Sequence, residues 1–248
     1  MTRRIGAITL ALAALLAAPL RRVPHPARSP RAGSGESMGD YLARHPEAIE
    51  DALGRYDSSQ AAALAAKQKA AVKATAATLF GSTRQVTLGN PKGDVTVVEF
   101  FDYNCGFCKR ALSDLLDMIK QDAKLKVVLK EFPVLGPDSV AAARVAVAVH
   151  LQDPGGAKYL AFHQQLLGSR GHADQARALA IADGLGLDMA RLGRDMASAE
   201  VTATLDESRN LARQLGINGT PSYVIGDTVV IGAVGLRALT AEVAALRK

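Results

Sequence analysis

Two cysteines, Cys105 and Cys108, stand two residues apart in the stretch VTVVEFFDYNCGFCKR, and the chain of 248 residues holds no others. The spacing fits three chemistries: a thiol-disulfide couple acting on other molecules, a structural disulfide, or half of a metal site. A structural zinc ion takes about four ligands. No second Cys-x-x-Cys pair exists, and none of the five histidines, His25, His45, His150, His163 and His172, has a close ligand spacing to this one. A staple across so short a loop removes little entropy from the unfolded chain, and two cysteines are too few to hold a fold of this length together. A redox couple is the leading reading. Copper(I) held by the soft thiolates of Cys105 and Cys108 stands beside it as a weak secondary activity.

The pair needs elements to hold it. VTVVEFF, residues 95–101, is an apolar run of the kind that forms a buried strand, and NPKG before it is a turn. Beyond the cysteines, apolar residues at 112, 115, 116 and 119 mark one face of a helix. Cys105 thus falls between a strand end and a helix start, where unpaired backbone N–H groups and the helix dipole favour a thiolate. Cys108 follows in the first turn on the same side. An exposed Cys105 attacks, and Cys108 closes onto it.

The rest of the chain completes a sheet. Residues 125–136 return to a strand that ends at Pro133, and helical stretches follow at 139–151, 157–167, 173–184, 188–198 and 201–215. TPSYVIGDTVVIGAV supplies two short strands joined at Gly226-Asp227, and LRALTAEVAALR closes with a helix. The fold class is α/β: a small mixed sheet with a helical insertion after its second clear strand.

The N-terminal part is different in kind. MTRR followed by the apolar run of residues 5–20 has the form of a secretory signal, assigned to 1–20, and the Pro-, Ser- and Arg-rich segment 21–37 has the form of a flexible leader. A secreted chain meets an oxidising space. Residues 1–37 hold six arginines against Glu36 alone, so the formal charge of +6 leaves the remaining 211 residues with 24 basic and 23 acidic side chains. That balance excludes the basic footprint of a nucleic-acid partner. Residues 38–80 read as one or two helices, with Leu42, Ile49, Leu53 and Tyr56 at spacings of seven, four and three. Such a stripe serves either packing on its own domain or self-association.

EFFDYNCGFCKR resembles the active site of the DsbA-like thiol-disulfide oxidoreductases, in which a strand ending Glu-Phe-Phe runs into Cys-x-x-Cys. LKEFPVLG and GINGTPSYVIGD resemble the family's two other signatures in the same order, so the likeness covers residues 85–247. CGFC and the extension YLARHPEAIEDAL are most similar to the ScsC (suppressor of copper sensitivity) group. The resemblance implies a thioredoxin fold in two parts, 85–136 and 216–248, around an inserted helical domain at 137–215, with 38–80 as an N-terminal oligomerisation region built on Leu42, Ile49, Leu53 and Tyr56. It implies a periplasmic disulfide isomerase or reductase, free of cofactors, acting on cysteines of secreted proteins. A membrane redox partner reoxidises or reduces the pair, and the assembly is a homo-oligomer, favoured as a trimer. A monomeric oxidase that donates disulfides, and a copper-binding scaffold without turnover, are the alternatives.

Carried over by motif, Cys105 is the nucleophile and Cys108 the resolving cysteine. Thr220 and Pro221 match the family's cis-proline pair, beside which an extended substrate strand lies, and Glu99 matches its buried acid, placed to exchange a proton with Cys108. Gly106 and Phe107 complete the substrate-facing surface. They replace the Pro-His of DsbA itself, so a less extreme Cys105 thiolate is expected. Lys109, Arg110 and Asp102 are read as solvent-facing or capping, and Phe132, Phe162 and His163 as packed side chains. Neither a Gly-rich phosphate loop nor a Ser-His-Asp order occurs.

Overall fold

The computed structural model describes residues 37–248, so the signal assigned to 1–20 and the leader up to Glu36 lie outside the described residues. A short helix, α1 (Met38–Arg44), starts at Ser37, whose Oγ accepts from the Asp40 N–H at 3.1 Å, and it buries no residue. α2 (Glu47–Gly81) is 35 residues long and rich in Ala, the strongest helix former. Along it, Ile49, Leu53, Tyr56 and Leu64 are exposed, while Leu42 in α1 is half-buried.

From Val86 onward the chain alternates strands and helices. β1 (Val86–Gly89) is an edge strand; β2 (Val95–Phe101), α3 (Gly106–Gln121) and β3 (Leu125–Glu131) form a parallel crossover. Five helices follow, α4 (Pro137–Gln152), α5 (Ala157–Gly168), α6 (Gln175–Gly184), α7 (Met189–Met196) and α8 (Ala199–Leu215). The hairpin β4 (Ser222–Ile225) and β5 (Thr228–Ile231) and the helix α9 (Leu236–Ala245) complete the chain. The sheet order is β1-β3-β2-β4-β5, parallel only between β2 and β3. This is the expected mixed sheet with a helical insertion after β3. The sequence reading missed β1, whose four residues carry too short an alternation to stand out.

Because side chains alternate across a strand, β2 and β3 feed two cores. Val97, Phe101, Val127 and Leu129 join Cys105, Cys108 and the inserted helices on one face. Val98, Phe100 and Val128 join Val72, Leu79, Leu211 and Leu215 on the other. The second core gives the end of α2 a place in the catalytic fold. Lys126 and Lys130 of β3 donate to the carbonyls of Phe80 (2.8 Å) and Thr78 (3.0 Å). Since α2 has no basic residue in its last turn, these strand lysines supply the positive charge its C-terminus favours. Lys130 is fully buried and also donates to Glu207 at 3.2 Å; burial lowers its pKa to about 8, against the pull of that carboxylate. Gln68 donates to the Leu215 carbonyl at 3.1 Å. Of the region set apart as 38–80, residues 68–80 are therefore packed onto the sheet, because Val72 and Leu79 and not the upstream stripe carry the buried bulk.

Candidate active site

β2 ends at Phe101, and Asp102, Tyr103 and Asn104 carry the chain over the sheet edge to the start of α3. Cys105 is the N-cap of that helix: its Sγ accepts from the Cys108 N–H at 3.4 Å, and its thiol donates to the Thr220 carbonyl at 3.1 Å. Both cysteines are free thiols. The expectation of an openly exposed Cys105 needs correction. Cys105 keeps only 6% of its surface and Cys108 none, because the 219–221 loop closes over the sulfur through that Thr220 contact. The Thr220-Pro221 peptide is cis, and the Pro221 carbonyl accepts from Gly232 N–H at 2.8 Å, which ties the loop to the end of β5. Gly106 and Phe107 lie on the outside of the turn, Phe107 being 56% exposed with the Arg110 guanidinium 4.3 Å from its ring centroid.

Below the thiols, Glu99 is 2% exposed, faces Tyr223 across the β2-β4 pairing, and leaves its Oε2 without a partner. Burial raises its pKa to about 8, opposed by the Tyr223 hydrogen bond. Burial also drives the Cys108 thiol well up, and the nearby Glu99 adds to the rise. A carboxyl that titrates close to neutrality beside a thiol that resists ionisation is an arrangement able to take a proton and return it. Among the described residues, no group of three His, Cys, Asp or Glu side chains is placed to hold a metal ion, so the two thiols have no third ligand there.

The DSBA-like thioredoxin domain matches residues 96–244. The chain belongs to this family. A thioredoxin-like oxidoreductase from Silicibacter pomeroyi DSS-3 is 44% identical, and its fold covers 69% of this chain and 96% of that one with a TM-score of 0.65. A linker-deleted mutant of Proteus mirabilis ScsC is 26% identical, covering 86% and 98% with a TM-score of 0.70. The Bacillus subtilis disulfide bond formation protein D is 26% identical over 159 residues, 59% of this chain and 69% of that protein. The Na(+)/H(+) antiporter NhaA 1 of Salinispora arenicola matches at 24% identity, and there the chain spans only 24% of its relative's length. The protein is a thiol-disulfide oxidoreductase of the DsbA-like type, and among the described residues no helix is long and apolar enough to cross a membrane.

In this DSBA-like domain the loop before Cys105 is fixed by residues to which the sequence reading gave little. Asp102 is buried: its carboxylate accepts from the N–H groups of Asn104, Val134 and Leu135 and from the Ser139 hydroxyl, all at 2.8 to 3.0 Å. It caps, as read, but inside the protein and not in water. Asn104 bridges to the inserted helices, donating to Ser139 Oγ and the Ala173 carbonyl at 3.0 Å and accepting from Ala173 N–H at 2.8 Å. Lys109, read as solvent-facing, reaches the carbonyls of Ser169 (3.0 Å) and Gly171 (2.8 Å).

A third buried acid was missed altogether. Glu131 ends β3 two residues beyond Leu129, the partner of Glu99, and accepts from Tyr159 (2.8 Å) and Tyr103 (3.2 Å). Tyr103 also bonds His163 Nδ1 at 3.3 Å, and Tyr159 stacks on the His163 ring at 6.0 Å between centroids. Burial raises the pKa of Glu131 to about 8, despite both tyrosine bonds, and lowers that of His163 to about 3. The signs give a stability profile. Glu99 and Glu131 keep protons in the folded chain that the unfolded chain releases above its ordinary 4.5, so stability falls as pH rises from there to about 8. His163 acts oppositely: the unfolded chain takes up a proton below 6.5 that the folded one refuses until about 3. Melting temperature should therefore peak near about pH 5 and fall toward pH 8. Glu131→Gln keeps an acceptor for the two tyrosines and should remove about half of that fall, roughly 2 to 4 kcal/mol at pH 8. An unchanged fall in thermal melts of the variant would mean that Glu131 is not held neutral.

Proposed function

We propose that this protein is a periplasmic disulfide isomerase or reductase acting on cysteines of secreted proteins, with Cys105 as nucleophile and Cys108 as resolving thiol. The observation that carries the division of labour is the asymmetry of the pair: only Cys105 keeps exposure, and its sulfur lies 3.1 Å from the Thr220 carbonyl of the cis-proline loop. The Cys105 thiolate attacks a substrate disulfide; a Cys105-substrate bond forms and one substrate thiolate leaves. In isomerisation that thiolate attacks another substrate sulfur, and a substrate thiolate finally displaces Cys105, with no net transfer of electrons. In reduction, Cys108 gives its proton to Glu99 and attacks the Cys105 sulfur, releasing the second substrate thiolate and leaving the pair oxidised by two electrons. A membrane partner then reduces the pair again. Thr220, Pro221, Gly106 and Phe107 form the surface on which the substrate strand lies.

The isomerase reading is supported by Ile49, Leu53 and Tyr56, each of them exposed; with Leu42 they are the residues proposed to carry a homo-oligomer, a trimer on family likeness. Several active sites facing one substrate raise the effective concentration of the second thiol. The apolar run of residues 5–20 supports export to the periplasm. Sedimentation of the intact protein, paired with reactivation of scrambled ribonuclease, tests this. An oligomer with isomerase activity, both lost in Leu53→Glu/Tyr56→Glu, is the expected result. A monomer over the micromolar range would transfer the reading to a DsbA-like oxidase.

A further inference from the structure

Four cationic side chains flank the Cys105 turn, on two segments that the Lys109 hydrogen bonds join. Lys109 and Arg110 lie in the first turns of α3; Arg170 and Arg177 lie in and after the loop that joins α5 to α6. The loop is fastened in place. Lys109 holds the Ser169 and Gly171 carbonyls, and Arg177 Nη1 donates to the Arg170 carbonyl at 2.5 Å. Gly171, at φ +86°, lets the backbone turn beneath the Arg177 guanidinium, which a Cβ there would approach to 3.6 Å. Arg110 lies over the exposed Phe107 ring. The proximity of Arg177, second to burial, lowers the pKa of Lys109.

None of the four forms an ion pair with a carboxylate among the described residues. The acids nearby form no ion pair with the group: Asp174 caps α6 by accepting from the Arg177 N–H, Asp138 binds His172 at 2.9 Å, and Asp114, four residues beyond Arg110 on the same face of α3, makes no ion pair with it. The cluster is also not a sample of a basic protein, because the 211 residues after Ser37 hold 24 basic against 23 acidic side chains. Arg110, Arg170 and Arg177 are exposed. An unpaired cationic rim beside an apolar ring and a reactive sulfur attracts a ligand that is anionic next to its own sulfur.

We propose that the Cys105 face selects cysteines flanked by aspartate or glutamate, whose carboxylates are taken by Arg110, Arg170 and Arg177 while an adjacent apolar side chain rests on Phe107. The selection rests on the thiol exchange at Cys105 proposed above. The step is the same: the Cys105 thiolate attacks the sulfur of the bound cysteine, a new disulfide forms, and the former partner of that sulfur leaves as a thiol. The rim alters how often the encounter succeeds, so its effect is on rate and fades with salt.

The test uses the reduced full chain and three peptides of equal length, each with one cysteine activated as its 2-pyridyl disulfide and flanked by Asp and Glu, by Gln, or by Lys. Release of pyridine-2-thione reports attack. At about 20 mM salt the acidic peptide should react about tenfold faster than the lysine peptide, with the ratio falling below about 2 at 0.5 M. In Arg110→Glu/Arg170→Glu the preference should vanish or invert, while the glutamine peptide reacts within about twofold of wild type. Equal rates for the acidic and lysine peptides at low salt, with the glutamine peptide reacting normally, overturn the selection alone. A preference that persists in the double variant overturns the assignment to these arginines. Failure of all three peptides to react overturns the exchange reading as well.

Discussion

Cys105→Ser should abolish thiol-disulfide exchange, and Cys108→Ser should leave a protein that attacks substrates but accumulates mixed disulfides. These opposite outcomes follow from burial. Cys108 has no exposed surface and a thiol driven well up by desolvation, so it reacts only with a sulfur already delivered to it, that of Cys105. In the proposed reduction step Glu99, in its ionised form, receives the proton of Cys108. Glu99→Gln should therefore slow release of the mixed disulfide by about tenfold or more while the first attack changes less. Alkylation by iodoacetamide as a function of pH, read by mass for each thiol, checks the assignment. Faster modification of Cys108 near neutrality reverses the two roles.

The second large effect concerns where the N-terminal region can be cut. Of the described residues, a chain beginning at residue 67 loses α1 and the part of α2 that buries no side chain. It should fold, act on simple dithiols, sediment as a monomer and fail to reactivate scrambled ribonuclease. A chain beginning at residue 81 also loses Val72 and Leu79 from the second core and both carbonyl acceptors of Lys126 and Lys130. Two buried aliphatic side chains and a buried cation stripped of a partner amount to roughly 5 to 10 kcal/mol, comparable with the whole stability of a domain. It should be insoluble or lack a cooperative melt. Identical melting of the two chains would show that the end of α2 contributes nothing to the catalytic fold.

The fold was largely legible in the sequence because its elements carry strong local signals. VTVVEFF and the apolar face at 112, 115, 116 and 119 announced β2 and α3, and the Gly226-Asp227 turn announced the last hairpin. The thiol pair was visible from spacing. What escaped depends on residues that come together from far along the chain. Glu131 sits in an ordinary strand pattern, and only the approach of Tyr103 and Tyr159, both 28 residues away, makes its carboxyl a buried one. Asp102 looks like any loop acid until Val134, Leu135 and Ser139 fold back to it. The end of α2 carries few bulky side chains, yet two of them, Val72 and Leu79, are enough when the sheet offers a matching face. A signal for these positions existed only as polar residues inside apolar runs, which is a weak sign without the partner in view.

The attachment of α2 to the far face of the sheet also constrains the order in which the molecule can assemble. Lys130 draws one partner from residue 78 and another from residue 207, so its neighbourhood joins segments 52 and 77 positions away on either side. The core around it further requires Leu211, Leu215 and Val224. Contacts of such long range repay their loop-closure entropy late. The Cys105 turn, by contrast, is set by short-range bonds from the Cys105 N–H to the Asp102 carbonyl and from the Lys109 N–H to the Cys105 carbonyl, and by bonds of Asp102 and Asn104 that reach no further along the chain than Ala173. During synthesis the reactive turn can thus take shape before β4 exists and before the Thr220 carbonyl is present to cover its sulfur. A growing chain passes through an interval in which its own nucleophile is formed but unshielded, and the last thirty or so residues are what end that interval.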